Sequence, residues 1–314
     1  MRILVMAAGA VGGYFGSLLS DKNEVTFIAR GEHLQKINRD GLQVKSITSG
    51  HFTPKATFVN SPPSGYTADV VLFCVKSYHN AQAVKTISPM ITDDTIILTL
   101  QNGLGSGKLL QSHFPRSATI LGAAYVEAEK TADGVIQEYG GDCMIKFGTG
   151  TGEKKFRNAE DAISNLLTNS GIENQNSPSI MIDIWKKLIF ISALSGMTCL
   201  SRSNFSSIMN NPETRILTTR LLTEGFNVAQ SSGINLEEST VTDIMTGFEL
   251  QKDQLVSSMH QDLLSGKPLE VESINGAISK AGQQFGVDTP INDTIRHCLS
   301  IYNDQIRNKL SEFK

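Results

Sequence analysis

The chain has 314 residues, more than one ordinary core accommodates, so two domains of roughly 150 residues each are expected. Its 28 basic and 31 acidic residues leave a net charge of −3, which argues against a general electrostatic pull toward nucleic acid or an anionic membrane. With 40% hydrophobic residues and no apolar run approaching the length of a membrane span, the composition is that of a soluble globular protein.

Residues 2–19, RILVMAAGAVGGYFGSLL, read as a short buried strand, a glycine turn and the start of a helix. A strand at 3–7 without polar alternation fits a parallel sheet covered on both faces. Gly9 lets backbone approach a pyrophosphate, and Gly12, with Gly13 beside it, lets the helix close on the strand, so that free helix N–H groups face the anion. The backbone of Ala7, Ala8, Gly9, Ala10, Val11 and Gly12 is therefore the expected cofactor cradle. Ala7 stands where a full G-x-G-x-x-G begins with glycine, and it serves there only at negative φ. The rival is a secretory signal peptide, with Arg2 ahead of a small-residue apolar run. The glycines interrupt that run, and the next segment continues the nucleotide pattern.

That segment, EVTFIA at 24–29, is a second apolar strand ending in Arg30. In NAD-binding units an acidic residue about twenty positions past the glycines holds the ribose 2′-hydroxyl. A guanidinium in its place favours a 2′-phosphate through a forked, charge-assisted pair, so NADP is expected rather than NAD. A solvated arginine at a strand end is the alternative.

A helical stretch at 33–39 leads to the turn Asp40-Gly41, then to strand-like LQVKSI and the loop NSPPSG at 60–65. The buried strand at 68–75 ends at Lys76, and TIILTL at 95–100 ends at Gln101-Asn102-Gly103. Ligands collect at the carboxyl ends of such strands, which places Lys76 and Asn102 to meet cofactor or substrate. A surface lysine and a turn-forming asparagine are the plain alternatives. From 118 to 148 the pattern is strand and turn, with a hairpin at Ala132-Asp133-Gly134. Strand alternating with helix to about residue 170 argues for a mostly parallel sheet, hence a Rossmann-type α/β dinucleotide-binding domain over 1–176. The polar NQNSPS at 174–179 reads as a connection. From 180 onward the signals are helical, broken near Asn210-Asn211-Pro212, Ser232-Gly233, 265–268 and Gly286, giving an all-α domain over 177–314.

The four cysteines, Cys74, Cys143, Cys199 and Cys298, lie far apart without C-x-x-C spacing, as reduced thiols in a cytoplasm do, and each is expected to be buried. The six histidines show no metal-ligand spacing, so no metal is expected. On the helix that begins near Asp183, spacing of four aligns Asp183, Lys187, Ile191 and Ser195. Adjacent lysines such as Lys186 and Lys187 are ordinarily solvated, so pattern alone leaves Lys187 open between a surface charge and a catalytic acid.

Taken together, the chain resembles the ketopantoate reductase family over almost its whole length. The resemblance rests on the glycine turn with Arg30, Val75-Lys76, Gln101-Asn102-Gly103, Trp185-x-Lys187-Leu188, and Ser258-Met259-x-Gln261-Asp262, with Glu270 and Ile274-Asn275-Gly276 behind. It implies that Lys187 is the catalytic lysine, donating a proton to the carbonyl oxygen as hydride arrives, and that Glu270 helps hold cofactor and orient the site. It also implies that Lys76 and Asn102 flank the nicotinamide and its ribose, and that Ser258 binds the substrate carboxylate, in a cleft between the domains. Two positions depart from the family: Ile191 and Ser195 stand where many members carry substrate-gripping asparagines. Isoleucine donates no hydrogen bond. Ser195 keeps a hydroxyl for substrate, and Asn204 is a further candidate contact from the next loop.

The expected activity is NADPH-dependent reduction of 2-dehydropantoate to pantoate, a step toward pantothenate and coenzyme A, in a cytoplasmic enzyme. The resemblance also points to a homodimer formed through the helical domain. Two alternatives stand beside it: a paralogue reducing another small 2-oxo or 3-hydroxy acid, prompted by Ile191 and Ser195, and a non-catalytic NADP-binding regulator, against which Lys187 and Glu270 both speak.

Overall fold

The computed structural model describes residues 1–150 and 156–312. Contacts divide the chain into two units, Met1–Gln101 with Ser106–Ile180, and Asn102–Gly105 with Met181–Lys314.

The first unit opens with β1 (Arg2–Met6), α1 (Ala10–Leu19), β2 (Glu24–Ile28), α2 (Gly31–Asp40), β3 (Gln43–Ser46), β4 (Gly50–Phe52) and β5 (Thr57–Val59). It continues through β6 (Val70–Phe73), α3 (Asn80–Ile87), β7 (Ile96–Thr99), α4 (Ser106–His113) and β8 (Ala118–Tyr125). The last elements are β9 (Ala128–Ala132), β10 (Val135–Glu138), β11 (Met144–Gly148), α5 (Arg157–Asn169) and β12 (Glu173–Asn176). Eight strands form one sheet in the order β12-β11-β8-β7-β6-β1-β2-β5. All neighbours in it run parallel except β8 and β11. The winding reverses between β1 and β6, the place where open α/β sheets bind ligands.

Residues on β1 explain why its sequence lacks alternation. Ile3 and Val5 pack on one side of the sheet with Phe15 and Leu19 of α1 and Ile163 of α5. Leu4 and Met6 pack on the other with Val84 and Ile87 of α3 and Leu110 of α4. Both faces of the strand are core, so every position is apolar.

The structure corrects the reading of 174–179 as a plain connection, because residues Glu173–Asn176 form β12, parallel to β11. An edge strand needs backbone partners on one side and little burial, so its polar side chains gave no strand signal. Asn174 spends its amide on Thr168 Oγ1 and on the Ile172 carbonyl.

The strand-like 42–47 segment and the hairpin at Asp133-Gly134 form a sheet of their own, in the order β4-β3-β10-β9. It lies against α1: a Cβ added at Gly13 would stand 2.8 Å from Ile136. At its centre Glu138, fully buried, accepts hydrogen bonds from Ser46 Oγ, the Thr48 and Gly140 amides and the hydroxyl of Thr48.

The second unit is helical: α6 (Ile180–Ser201), α7 (Phe205–Asn210), α8 (Pro212–Ser231), α9 (Thr240–Gln251), α10 (Ser258–Leu264), α11 (Asn275–Phe285) and α12 (Pro290–Glu312). The expected breaks are capping sites. The Asn211 side chain accepts from the amides of Glu213 and Thr214, with Pro212 opening α8, and Gly286 closes α11 at φ 71°. The core gathers Leu188, Ile189, Leu221, Phe248, Ile278 and Ile295. Glu224, buried, accepts from the amides of Ile291 and Asn292 and from Asn292 Nδ2, a carboxylate set on the start of α12. No described helix is long and apolar enough to cross a membrane. The cysteines correct one expectation: all four are free, and Cys143 and Cys199 are buried, but Cys74 is half-buried and Cys298 exposed.

Glu138 generates a stability prediction. Burial raises its proton affinity, yet the donors from Ser46, Thr48 and Gly140 outweigh it and hold the carboxyl below its ordinary 4.5. A depressed carboxyl stabilises the fold above the unfolded-state pKa and loses that contribution as pH falls through the folded value. Glu138→Gln is expected to cost about 1–3 kcal/mol at pH 7 in urea unfolding. The deficit should narrow as the solution is acidified below 4.5, and a deficit that is constant with pH contradicts the account.

Candidate active site

In the first unit the cofactor cradle starts where β1 ends. Ala7 is absent from the positive-φ residues, which among described non-glycines are Cys143 and Arg202, so it meets the requirement placed on it. Gly9 caps α1 in extended conformation with no side-chain acceptor on the helix amides. A Cβ added at Gly9 would meet nothing within 4 Å, whereas one at Gly12 would stand 2.1 Å from the Ala7 carbonyl oxygen and 3.2 Å from Val5. The two glycines therefore do different work: Gly12 permits close packing, and Gly9 leaves space over an uncapped, electropositive helix start. That arrangement fits the pyrophosphate of a dinucleotide.

Arg30 is exposed at the start of α2, directly after β2, and donates to Thr86 Oγ1 at 3.3 Å. Lys76 is half-buried where β6 ends. Gln101 braces that region: its Nε2 donates to the Val75 carbonyl and to Asn80 Oδ1, both at 2.7 Å.

In the second unit the segment Asn102–Gly105 meets the turn that carries Glu270. Leu104 N–H donates to the Ser273 carbonyl, and Gly103, at φ 89°, leaves that carbonyl only 1.9 Å from where a Cβ would be. Asn102 is thus fixed, half-buried, by a neighbour with no room for any residue but glycine. The Glu270 turn is pinned elsewhere too. The Asn303 amide accepts from Leu269 N–H at 2.8 Å and donates to Leu269 O at 3.0 Å, and Asn275 Nδ2 donates to the Ser192 carbonyl of α6 at 3.1 Å. These three asparagine and backbone clasps, found by no local pattern, hold Glu270 against the helix that bears Lys187.

Lys187 sits half-buried on the second turn of α6. Burial brings its ammonium down to about 8, and the charge of Glu270, itself only 5% exposed, pulls the other way. Lys186, one residue earlier, faces outward and pairs loosely with Glu237 at 3.9 Å. Farther along the helix Ile191 is half-buried against the core of the unit. Ser195 is buried and accepts from Ser257 Oγ at 2.9 Å, while Ser257 caps α10 through the His260 amide. Ser258 is the exposed member of that serine pair. Asn204, exposed, spends its side-chain oxygen on capping α7 at Ser207 N–H. A dinucleotide turn in one unit and a lysine of lowered proton affinity beside a buried carboxylate in the other are the parts of a carbonyl reductase.

Two family models, described as ketopantoate reductase PanE/ApbA and its C-terminal domain, match residues 3–152 and 179–303. The chain belongs to the ketopantoate reductase family. It is 28% identical over 301 residues to a 2-dehydropantoate 2-reductase of Halobacterium salinarum, covering 94% of this chain and 96% of that protein. A PanE/ApbA family ketopantoate reductase from Ralstonia eutropha superposes with a TM-score of 0.88 at 24% identity, over 98% of this chain and 100% of that one. A D-mandelate dehydrogenase solved with NADH and anilino(oxo)acetate superposes with a TM-score of 0.89 at 24% identity, over 98% of this chain and 99% of that one. This member of the ketopantoate reductase family is an oxidoreductase with a dinucleotide-binding α/β domain and a helical C-terminal domain.

The clasp at Leu269 is testable by itself. Asn303→Leu keeps the branched shape but leaves the Leu269 N–H and carbonyl unpaired, and is expected to lower stability by about 1–3 kcal/mol in chemical denaturation. Stability equal to the parent would show that water replaces the amide there.

Proposed function

We propose that the protein reduces 2-dehydropantoate to pantoate with NADPH, in a step toward pantothenate and coenzyme A. The observation that carries the reading is the half-buried Lys187 ammonium, brought down to about 8 with Glu270 acting on it. When bound, NADPH supplies a hydride to the carbonyl carbon. Lys187 Nζ gives its proton to the carbonyl oxygen, and its charge stabilises the alkoxide as it develops. An ammonium at about 8 parts with a proton more readily than one at 10.5, yet stays largely charged at neutral pH. Glu270 preserves that charge against burial. In this reading the backbone from Ala7 to Gly12 takes the pyrophosphate, Arg30 the 2′-phosphate, and Lys76 and Asn102 the nicotinamide and its ribose. Ser258 and Ser195 bind substrate together with Lys187. The helical domain supports a homodimer, and the enzyme works in the cytoplasm.

A second reading keeps the chemistry and changes the acid. Ile191 presents an apolar side chain one turn beyond Lys187, which favours a 2-oxo acid with an apolar substituent over one with a hydroxyl to satisfy. A fold neighbour is a D-mandelate dehydrogenase solved with anilino(oxo)acetate.

Steady-state NADPH oxidation with ketopantoate beside a panel of 2-oxo acids separates the two: brisk turnover of ketopantoate supports the first, and feeble turnover beside brisk reduction of an apolar 2-oxo acid supports the second. Lys187→Ala is expected to lower kcat by about 10²–10⁴ with NADPH affinity nearly unchanged, and normal turnover would overturn the assignment. In the parent, kcat should decline as pH rises through about 8, because the acid form is then lost. Arg30→Ala should cut the preference for NADPH over NADH by about 10- to 100-fold, and an unchanged preference would sink the 2′-phosphate role.

A further inference from the structure

His33 stands on the first turn of α2 and touches the cofactor cradle from behind. Its Nε2 lies 2.8 Å from the carbonyl oxygen of Ala8, one residue before the Gly9 cap of α1. Its Nδ1 lies 3.0 Å from the backbone N–H of Gly134, in the turn between β9 and β10. The two partners fix the tautomer. A carbonyl only accepts and an amide N–H only donates, so Nε2 carries the hydrogen and Nδ1 keeps its lone pair. Protonation would place a hydrogen on Nδ1 facing the Gly134 N–H and break that contact.

We propose that His33 is a positioning residue for the cofactor, a neutral two-sided latch that holds the Ala8 carbonyl, and with it the anion-facing start of α1, to the β9–β10 hairpin. The proposal rests on the glycine turn being the NADPH site. Its second support is packing, since the same hairpin presses on α1 where a Cβ at Gly13 would meet Ile136.

The surroundings keep the ring uncharged. Burial lowers its proton affinity most, and the Ala8 carbonyl pulls the other way. Lys130 of β9 lowers it further, while Asp133, whose Oδ1 is 3.7 Å from Nδ1, opposes. Lys130 and Asp133 are themselves paired at 2.6 Å. The net is a histidine that charges only below its ordinary 6.5. Simple attraction between an imidazolium and a pyrophosphate would tighten NADPH binding in acid, and the latch demands the opposite sign.

The test is NADPH binding, followed by fluorescence between about pH 5 and pH 8. The 2′-phosphate gains a proton at about pH 6, so the reading is the difference between the parent and His33→Gln. Glutamine offers one donor and one acceptor and does not titrate. His33→Gln is expected to match the parent at pH 8 and to bind more tightly than it by about fivefold at pH 5. His33→Leu should bind about tenfold more weakly at pH 8 with its NADPH-over-NADH preference unchanged, since Arg30 is untouched. Superimposable pH profiles for the parent and His33→Gln overturn the latch, as does parental affinity in a folded His33→Leu. If His33→Leu does not fold, the comparison of the parent with His33→Gln decides. A parent that binds no NADPH at any pH overturns the cofactor reading, and the latch with it.

Discussion

No methyl group fits between Gly12 and the carbonyl of Ala7, and much of the first unit follows from that restriction. The restriction brings α1 onto β1 tightly enough for Phe15 and Leu19 to join Ile3 and Val5 in one core. It also leaves the start of α1 pointing past the end of β1, at the reversal of strand order. Uncapped amides at a helix start carry partial positive charge in a fixed direction, and a dinucleotide phosphate answers that charge without any lysine or arginine. The glycine at 9, by contrast, costs the fold little and keeps the space clear. Close packing and open space are thus assigned to different glycines of one short turn.

In the helical unit the corresponding constraint is polar. Glu224, Asn275, Asn292 and Asn303 are buried, and each is spent on backbone or on one another. Buried amides of this kind add little net stability but are costly to misplace, so they select one arrangement of α6, α11 and α12. The Glu270 turn lies inside that arrangement. A carboxylate held this firmly raises the proton affinity of Lys187 through its charge.

Much of this was legible in the residues, and the exceptions share a cause. The strands of the large sheet announced themselves because burial on both faces demands unbroken apolar runs, as in IILT of β7. β12 did not, because ENQN at a sheet edge is held by backbone alone. The strands at 43–46 and 135–138 were visible singly, but their pairing joins Val44 to Ile136 across a sequence separation that no local pattern reports. Glu138 and His33 read as ordinary polar residues, since only tertiary neighbours distinguish a buried acceptor or a fixed tautomer from a solvated one. Lys186 and Lys187 are indistinguishable as letters. The side chains diverge because one faces outward from the helix and the other turns toward a buried carboxylate.

The clasp of Leu104 and Gly103 on Ser273 bears on how separable the two halves are. Residues 102–105 belong by contact to the helical unit although 75 residues of the first unit, Ser106–Ile180, follow them before the helical unit resumes. The border between modules is therefore three peptide links, not one. A helical half excised at Met181, or grafted onto another nucleotide-binding half, arrives without the strip of chain that seats the Ser273 carbonyl. Recombination between relatives would have to exchange residues 102–105 together with the helices to keep that seat filled.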